Sequence, residues 1–171
     1  MKERIQHPFP PLYDSSSRVL ILGSFPSVKS REQRFFYGHP QNRFWKLMAF
    51  LFQEDVPETI EDKKQLLLRN HIAVWDVIRS CEISGSADQS IKDVKVNDIG
   101  ALLKMTKIER IYTNGSKAHT LYQRHLKEKT GIEDVCLPST SPANAAYDLQ
   151  RLAAHWKAIL GDEHERKETG I

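Results

Sequence analysis

Apolar residues fall along the chain in two alternating patterns. Four short runs of branched aliphatic and aromatic residues occupy positions 18–23, 72–75, 108–112 and 135–137, and each leads into a turn residue or a polar loop. A continuous apolar run, rather than strict alternation, predicts a strand buried on both faces, the habit of parallel sheets. Between the runs the apolar spacing changes to three and four. Positions 42–52 place Phe44, Leu47, Met48 and Leu51 on one helical face. Helices are likewise predicted over 61–70, 97–105, 116–129 and 145–160; the last carries Leu149, Leu152, Ala153 and Trp156. Strands alternating with helices make βαβ units, hence an α/β fold with a mostly parallel sheet and helices on both faces.

That topology narrows the search for a site. In an open parallel sheet the ligand crevice lies beyond the carboxyl ends of the strands. Four segments meet that condition: Gly23-Ser24-Phe25-Pro26-Ser27, the chain from Asp76, Thr113-Asn114-Gly115-Ser116-Lys117, and the stretch from Leu137 to Asn144. Most of the unusual local chemistry of the chain sits in these segments.

At 171 residues the chain is read as a single domain over 1–160. Positions 161–171 hold four acids and two bases and read as a frayed tail. The N-terminus has no apolar core of signal-peptide type, and no apolar stretch is long enough to span a bilayer, so a cytoplasmic protein without membrane association is expected. Two cysteines, Cys81 and Cys136, exclude a disulfide framework and a four-thiolate cluster within the chain, and both read as small buried hydrophobes. The seven histidines are scattered without the helical spacing of a zinc protease, so no metal is expected. Charge is uneven: residues 1–50 hold eight Lys and Arg against three acids, a net +5, and the other 121 residues sum to −2. A basic first third fits an anionic partner such as nucleic acid or a phosphate-bearing ligand, or simply a solvated basic face.

The individual motifs each admit a structural and a chemical reading. Gly23 to Ser27 is a tight turn after a strand, and no Gly-Lys-Ser/Thr follows that would make it a Walker loop. The segment from Phe35 to Trp45 interleaves aromatics with cations, a composition suited to base stacking and phosphate contact. Within it Phe44 and Trp45 read as core, and Asn42 as a helix cap beside an anion-stabilising helix start. The loop Pro138-Ser139-Thr140-Ser141-Pro142 places three hydroxyls between two prolines, and Ser141 with Pro142 reads as a helix cap. Gly115-Ser116-Lys117 is a weak phosphate-site pattern, and Asp76 either orients a polar ligand or caps a turn.

Taken as an ordered set, these segments resemble the uracil-DNA glycosylase superfamily, within it the deoxyinosine (hypoxanthine-DNA) glycosylase branch. The residues that carry the resemblance run through Phe9-Pro10-Pro11-Leu12-Tyr13-Asp14, residues 19–27, 37–45 and Trp75-Asp76-Val77. They continue through Ser80-Cys81-Glu82, Gly85-Ser86, Asp88, Ile91 and Thr113-Asn114-Gly115, and end with residues 137–145. The resemblance implies a three-layer α/β/α sandwich around a four-stranded parallel sheet. It implies a monofunctional DNA glycosylase that removes a flipped-out deaminated base without a cofactor. By that resemblance Asn42 is catalytic, Phe25, Tyr37, Asp76, Gly23 and Ser24 bind the base, and Tyr37 stacks on it. Ser27, Arg43, Ser116, Lys117, Ser139, Thr140, Ser141 and Asn144 are the candidate DNA contacts. Uracil-specific members carry Asp or Asn where this chain has Phe25, and His or Asn where it has Leu137; both departures favour deoxyinosine. The expected partner is DNA containing a deaminated base, bound by a monomer with no obligate protein partner. A uracil or xanthine specificity, a non-catalytic nucleic-acid-binding protein and a domain binding a small phosphorylated ligand remain alternatives.

Overall fold

The computed structural model describes residues 3–84 and 90–161. Four strands, β2 (Val19–Gly23), β3 (Ile72–Asp76), β6 (Arg110–Asn114) and β7 (Asp134–Leu137), form a parallel sheet in the order β3-β2-β6-β7. These are the four apolar runs. Their alternate residues feed two separate cores. Val19, Ile21, Ile72, Val74 and Tyr112 face one core with Phe44, Leu47, Met48, Leu66, Leu67, Leu152 and Trp156. Leu20, Leu22, Ala73 and Ile111 face the other with Ile78, Ile99, Leu102, Leu121 and Tyr122. The period of two along each strand thus builds the three layers.

The first core is covered by α2 (Phe44–Phe52), α3 (Ile60–Arg69) and α7 (Leu149–Trp156). The second is covered by α4 (Ile99–Lys104) and α5 (Ser116–His125). Phe44 and Trp45 lie in the core, as their size predicts. The predicted helix over 116–129 is broken at Leu126, where φ is −123°, and resumes as the short α6 (Lys127–Thr130). The predicted helix over 145–160 begins only at Leu149, capped by Asp148, and ends in a 3-10 turn over Lys157–Leu160. Ser141 therefore does not cap it; its hydroxyl accepts from the Ala143 N–H inside the preceding loop.

A second sheet was absent from the sequence expectation. Strands β1 (Glu3–Gln6), β4 (Ile78–Ile83) and β5 (Lys92–Val96) pair antiparallel in the order β1-β4-β5. Their sequences, ERIQ, IRSCEI and KDVKV, mix charge with apolar residues because one face is solvated, so no continuous apolar run announces them. Helix α1 (Val28–Gln33) was likewise unannounced, because its single buried residue is Ser30 and it has no apolar stripe. Of the two cysteines, Cys81 is buried, whereas Cys136 is exposed on the edge strand β7, against expectation. Burial raises the thiol pKa of Cys81 and partial desolvation of the sulfur raises that of Cys136, which disfavours the reactive thiolate in each. Gly85, Ser86 and Asp88, and all of the charged tail after Gly161, lie outside the described residues.

One buried acid joins β7 to α5. Asp134 accepts from Thr113 Oγ1 at 2.6 Å and Gln123 Nε2 at 2.6 Å, and His119 Nδ1 lies 2.7 Å away. Burial acts to raise its pKa, but the hydrogen bonds from Thr113, His119 and Gln123 outweigh burial and hold it below the usual carboxylate range. A depressed carboxyl stabilises the fold above its unfolded pKa of about 4 and loses that contribution as pH falls through the folded value. Urea unfolding of Asp134→Asn should therefore show a flatter stability curve than the parent below about pH 4. An unchanged acid limb would remove Asp134 from that role.

Candidate active site

The carboxyl ends of the parallel strands open into a cleft of about 310 Å³, at the small end of the range for ligand sites. Its walls come from the predicted segments. The Gly23–Ser27 turn, Tyr37, Asn42, Asp76 and the Ser139–Ser141 loop all line it. Its lining also includes Ser30, to which no motif pointed, and Phe36, His39 and Asn114, which lie in segments singled out above without an individual role. Arg43, Ser116, Lys117 and Asn144 stand outside the lining. Ser116 and Lys117 open α5, whose cap Gly115 adopts φ of +97° with its α-carbon packed against Ser139, so this helix start adjoins the rim.

Asn42 precedes α2. Its Oδ1 accepts the Phe44 N–H at 2.9 Å, so the side chain meets one of the unpaired donors of the helix start. That bond also settles which end of the amide is oxygen. One Oδ1 lone pair is engaged, and the other remains for a ligand or water in the cleft.

Tyr37 stands at φ +53°, a left-handed conformation that a bulky residue rarely adopts. Its ring stacks on Phe44 with centroids 4.1 Å apart and planes 18° from parallel, so only one ring face is left for a ligand. Its hydroxyl is buried, forms no well-formed hydrogen bond with a described residue, and lies near the Gly23 α-carbon. Burial first, and then the Asp76 charge, push its pKa far above that of an ordinary phenol, so it stays a neutral donor.

Asp76 does not cap a turn. Its Oδ2 lies 2.7 Å from Nε2 of His7, and both side chains are buried. Its Oδ1 faces Gly23 so closely that a Cβ there would come within 2.5 Å. Gly23 is needed for this approach rather than for a special φ. His7 escaped the sequence reading because the pair is separated by 69 positions and no local pattern links them.

Several candidate DNA contacts also have structural work within the chain. Thr140 is fully buried; its N–H and Oγ1 both bond the Asn114 side chain, each at 3.0 Å. Arg43 is the clearest reassignment. Its Nε donates to the Thr140 carbonyl at 3.4 Å, and its Nη2 to the carbonyls of Ser141 at 2.7 Å and Asn144 at 3.1 Å. Its Nη1 bonds the Tyr147 carbonyl, and its backbone N–H bonds Thr140 O at 3.1 Å. A guanidinium spent on four carbonyls is a staple between Asn42 and the 139–147 loop, not a phosphate clamp. Ser27 caps α1 by accepting from Ser30 N–H at 3.2 Å, Ser139 Oγ accepts from Ser141 N–H, and Asn144 Nδ2 donates to Ser139 O. Phe25 meets His7 edge-on at 6.0 Å and carries Arg31 over its ring at 5.6 Å.

Among the described residues no group of three or more His, Cys, Asp or Glu could hold a metal ion, and no helix is long and apolar enough to cross a membrane.

Comparison with known proteins bears on this arrangement directly. The family model of the uracil DNA glycosylase superfamily matches residues 10–162, which include every residue that lines the cleft. The chain belongs to the uracil DNA glycosylase superfamily. Within this superfamily it is 36% identical over 158 residues to a hypoxanthine DNA glycosylase of Methanosarcina acetivorans, covering 91% of this chain and 98% of that one. It is 35% identical over 138 residues to a hypoxanthine DNA glycosylase of Methanosarcina barkeri, covering 80% of this chain and 86% of the other. A solution NMR structure of a candidate uracil DNA glycosylase from M. acetivorans superimposes with a TM-score of 0.78 at 35% identity, over 93% of this chain and 96% of that one. The superfamily fold is therefore the three-layer α/β/α sandwich seen here.

Proposed function

We propose that this superfamily member is a DNA glycosylase that hydrolyses the N-glycosidic bond of deoxyinosine and leaves an abasic site. The observation that carries the reading is the convergence of Asn42, Tyr37 and Asp76 on one cleft sized for a single nucleoside. The names of the Methanosarcina relatives support hypoxanthine as the base.

A base within the duplex hides its glycosidic bond, so the nucleotide must be extruded, at a cost of a few kcal/mol that is smaller at a mispair. The free face of Tyr37 stacks on the extruded base, a contact worth roughly 1–3 kcal/mol. An amide does not titrate, so Asn42 serves as an orienting group rather than a base. Its remaining Oδ1 lone pair holds a water against C1′ of the sugar. The C1′–N9 bond breaks, the water oxygen bonds to C1′, one water proton stays on the new hydroxyl, and the other ends on the departing purine. Positioning and fixed dipoles supply the rate. In this reading Ser139, Ser141, Ser116, Lys117 and the basic residues of the 29–43 stretch other than Arg43 contact the phosphates.

Two outcomes follow. Incubation at excess enzyme with a deoxyinosine duplex should release free hypoxanthine and leave a strand that breaks only after alkali. Hypoxanthine retained in an intact strand would refute the reading. Duplex affinity should fall with salt at about −0.9 log units per log unit for each phosphate contacted, and a flat response in a titration by fluorescence anisotropy would contradict the phosphate contacts.

A further inference from the structure

Asp76 presents one satisfied and one unsatisfied oxygen. Oδ2 is held by His7, and Oδ1 receives no hydrogen bond from a described residue. The proton on the His7–Asp76 contact can be assigned. His7 Nδ1 accepts the Phe9 N–H at 3.4 Å, so Nε2 carries the ring proton and donates to the carboxylate. His7 is itself fixed. Its N–H bonds Arg79 O at 2.7 Å where the chain leaves β1, and its ring is packed among Phe9, Phe25 and Phe36 at centroid distances of 4.6, 6.0 and 6.2 Å. Beyond it, Leu12 bridges to Val74 on the edge of β3. The second sheet therefore delivers one buried histidine behind Asp76, the acid that lines the cleft.

Deamination of adenine replaces the 6-amino group by a carbonyl and places a proton on the adjacent ring nitrogen N1. Adenine offers a bare lone pair at N1; hypoxanthine offers an N–H donor. A carboxylate oxygen fixed as an acceptor bonds the second and repels the first. From this geometry we propose that His7 is a positioning residue for base discrimination: its Nε2–H holds Asp76 so that Oδ1 accepts the ring N–H that deamination creates. The proposal rests on the glycosylase reading of the cleft and deepens it.

The test compares duplexes carrying deoxyinosine and deoxynebularine, the purine that lacks the 6-oxo group and keeps a bare N1. Single-turnover excision gives one ratio, and binding of the uncleavable 2′-fluoro forms of both gives a second. His7→Phe keeps the aromatic packing and removes the donor. It should lower the inosine values about ten- to hundredfold while nebularine changes little, so that both ratios collapse. His7→Gln, whose amide nitrogen reaches the Nε2 position, should retain most of the ratio, and His7→Asn, which is too short, should lose it. Where thermal melting shows that His7→Phe does not fold, the Gln and Asn pair decides. A parallel fall on both bases, or unchanged ratios, would overturn the role of His7. Failure of the unsubstituted protein to excise deoxyinosine would instead overturn the glycosylase reading.

Discussion

Asn42→Ala should lower single-turnover excision of hypoxanthine by about 10²–10³, the usual cost of removing one oriented amide from a reacting centre. Its side chain also meets the Phe44 N–H at the start of α2, so the same change should cost about 1 kcal/mol of stability. The two effects separate with Asn42→Asp, which keeps an acceptor oxygen for Phe44 and for water. That variant should retain the melting temperature of the parent and excise faster than the alanine variant. Rapid-quench kinetics beside calorimetry measures both. An alanine variant that excises at the parental rate would remove Asn42 from the chemistry.

Arg43→Ala should be nearly as damaging by another route. The carbonyls of Thr140, Ser141, Asn144 and Tyr147 lose their common donor. Hydrogen bonds to a charged group contribute about 1.5–3 kcal/mol, and the partly buried carbonyls left behind add to the loss. The 139–147 loop is then released from Asn42, and excision should fall more than tenfold even where the fold survives. Arg43→Lys should not restore it, because an ammonium on a flexible stem cannot span four carbonyls as a planar fork does. Were Arg43 a phosphate contact, lysine would rescue, and the salt slope of binding would drop by about one phosphate in the alanine variant. Hydrogen exchange of the loop amides distinguishes the two cases.

What could be read from sequence follows the range of the forces involved. The parallel strands β2, β3 and β6 were legible because burial on both faces leaves a continuous apolar run, as in Val19–Gly23, whereas the edge strand β7, with Val135 and Cys136 exposed, left the weaker signal. The cleft was legible because parallel topology fixes which strand ends face it. Strand β5, with sequence KDVKV, was not legible, because a half-solvated strand gains its order from pairing with β4. The same limit applies at the site. Asn42 and Tyr37 sit in a dense local segment, whereas the His7–Asp76 pair and the Arg43 staple join residues separated by 69 and by as many as 104 positions. Arg43 looked like a phosphate ligand because composition records its charge and not its partners.

The most direct test of the central claim is excision at excess enzyme on matched duplexes carrying deoxyinosine, deoxyuridine, deoxyxanthosine or no lesion, read as alkali-sensitive abasic sites. The cleft described here predicts cleavage fastest at deoxyinosine, none at normal adenine, and loss in Asn42→Ala. Cleavage fastest at deoxyuridine would keep the fold and overturn the base assignment. No cleavage of any duplex would contradict the glycosylase itself.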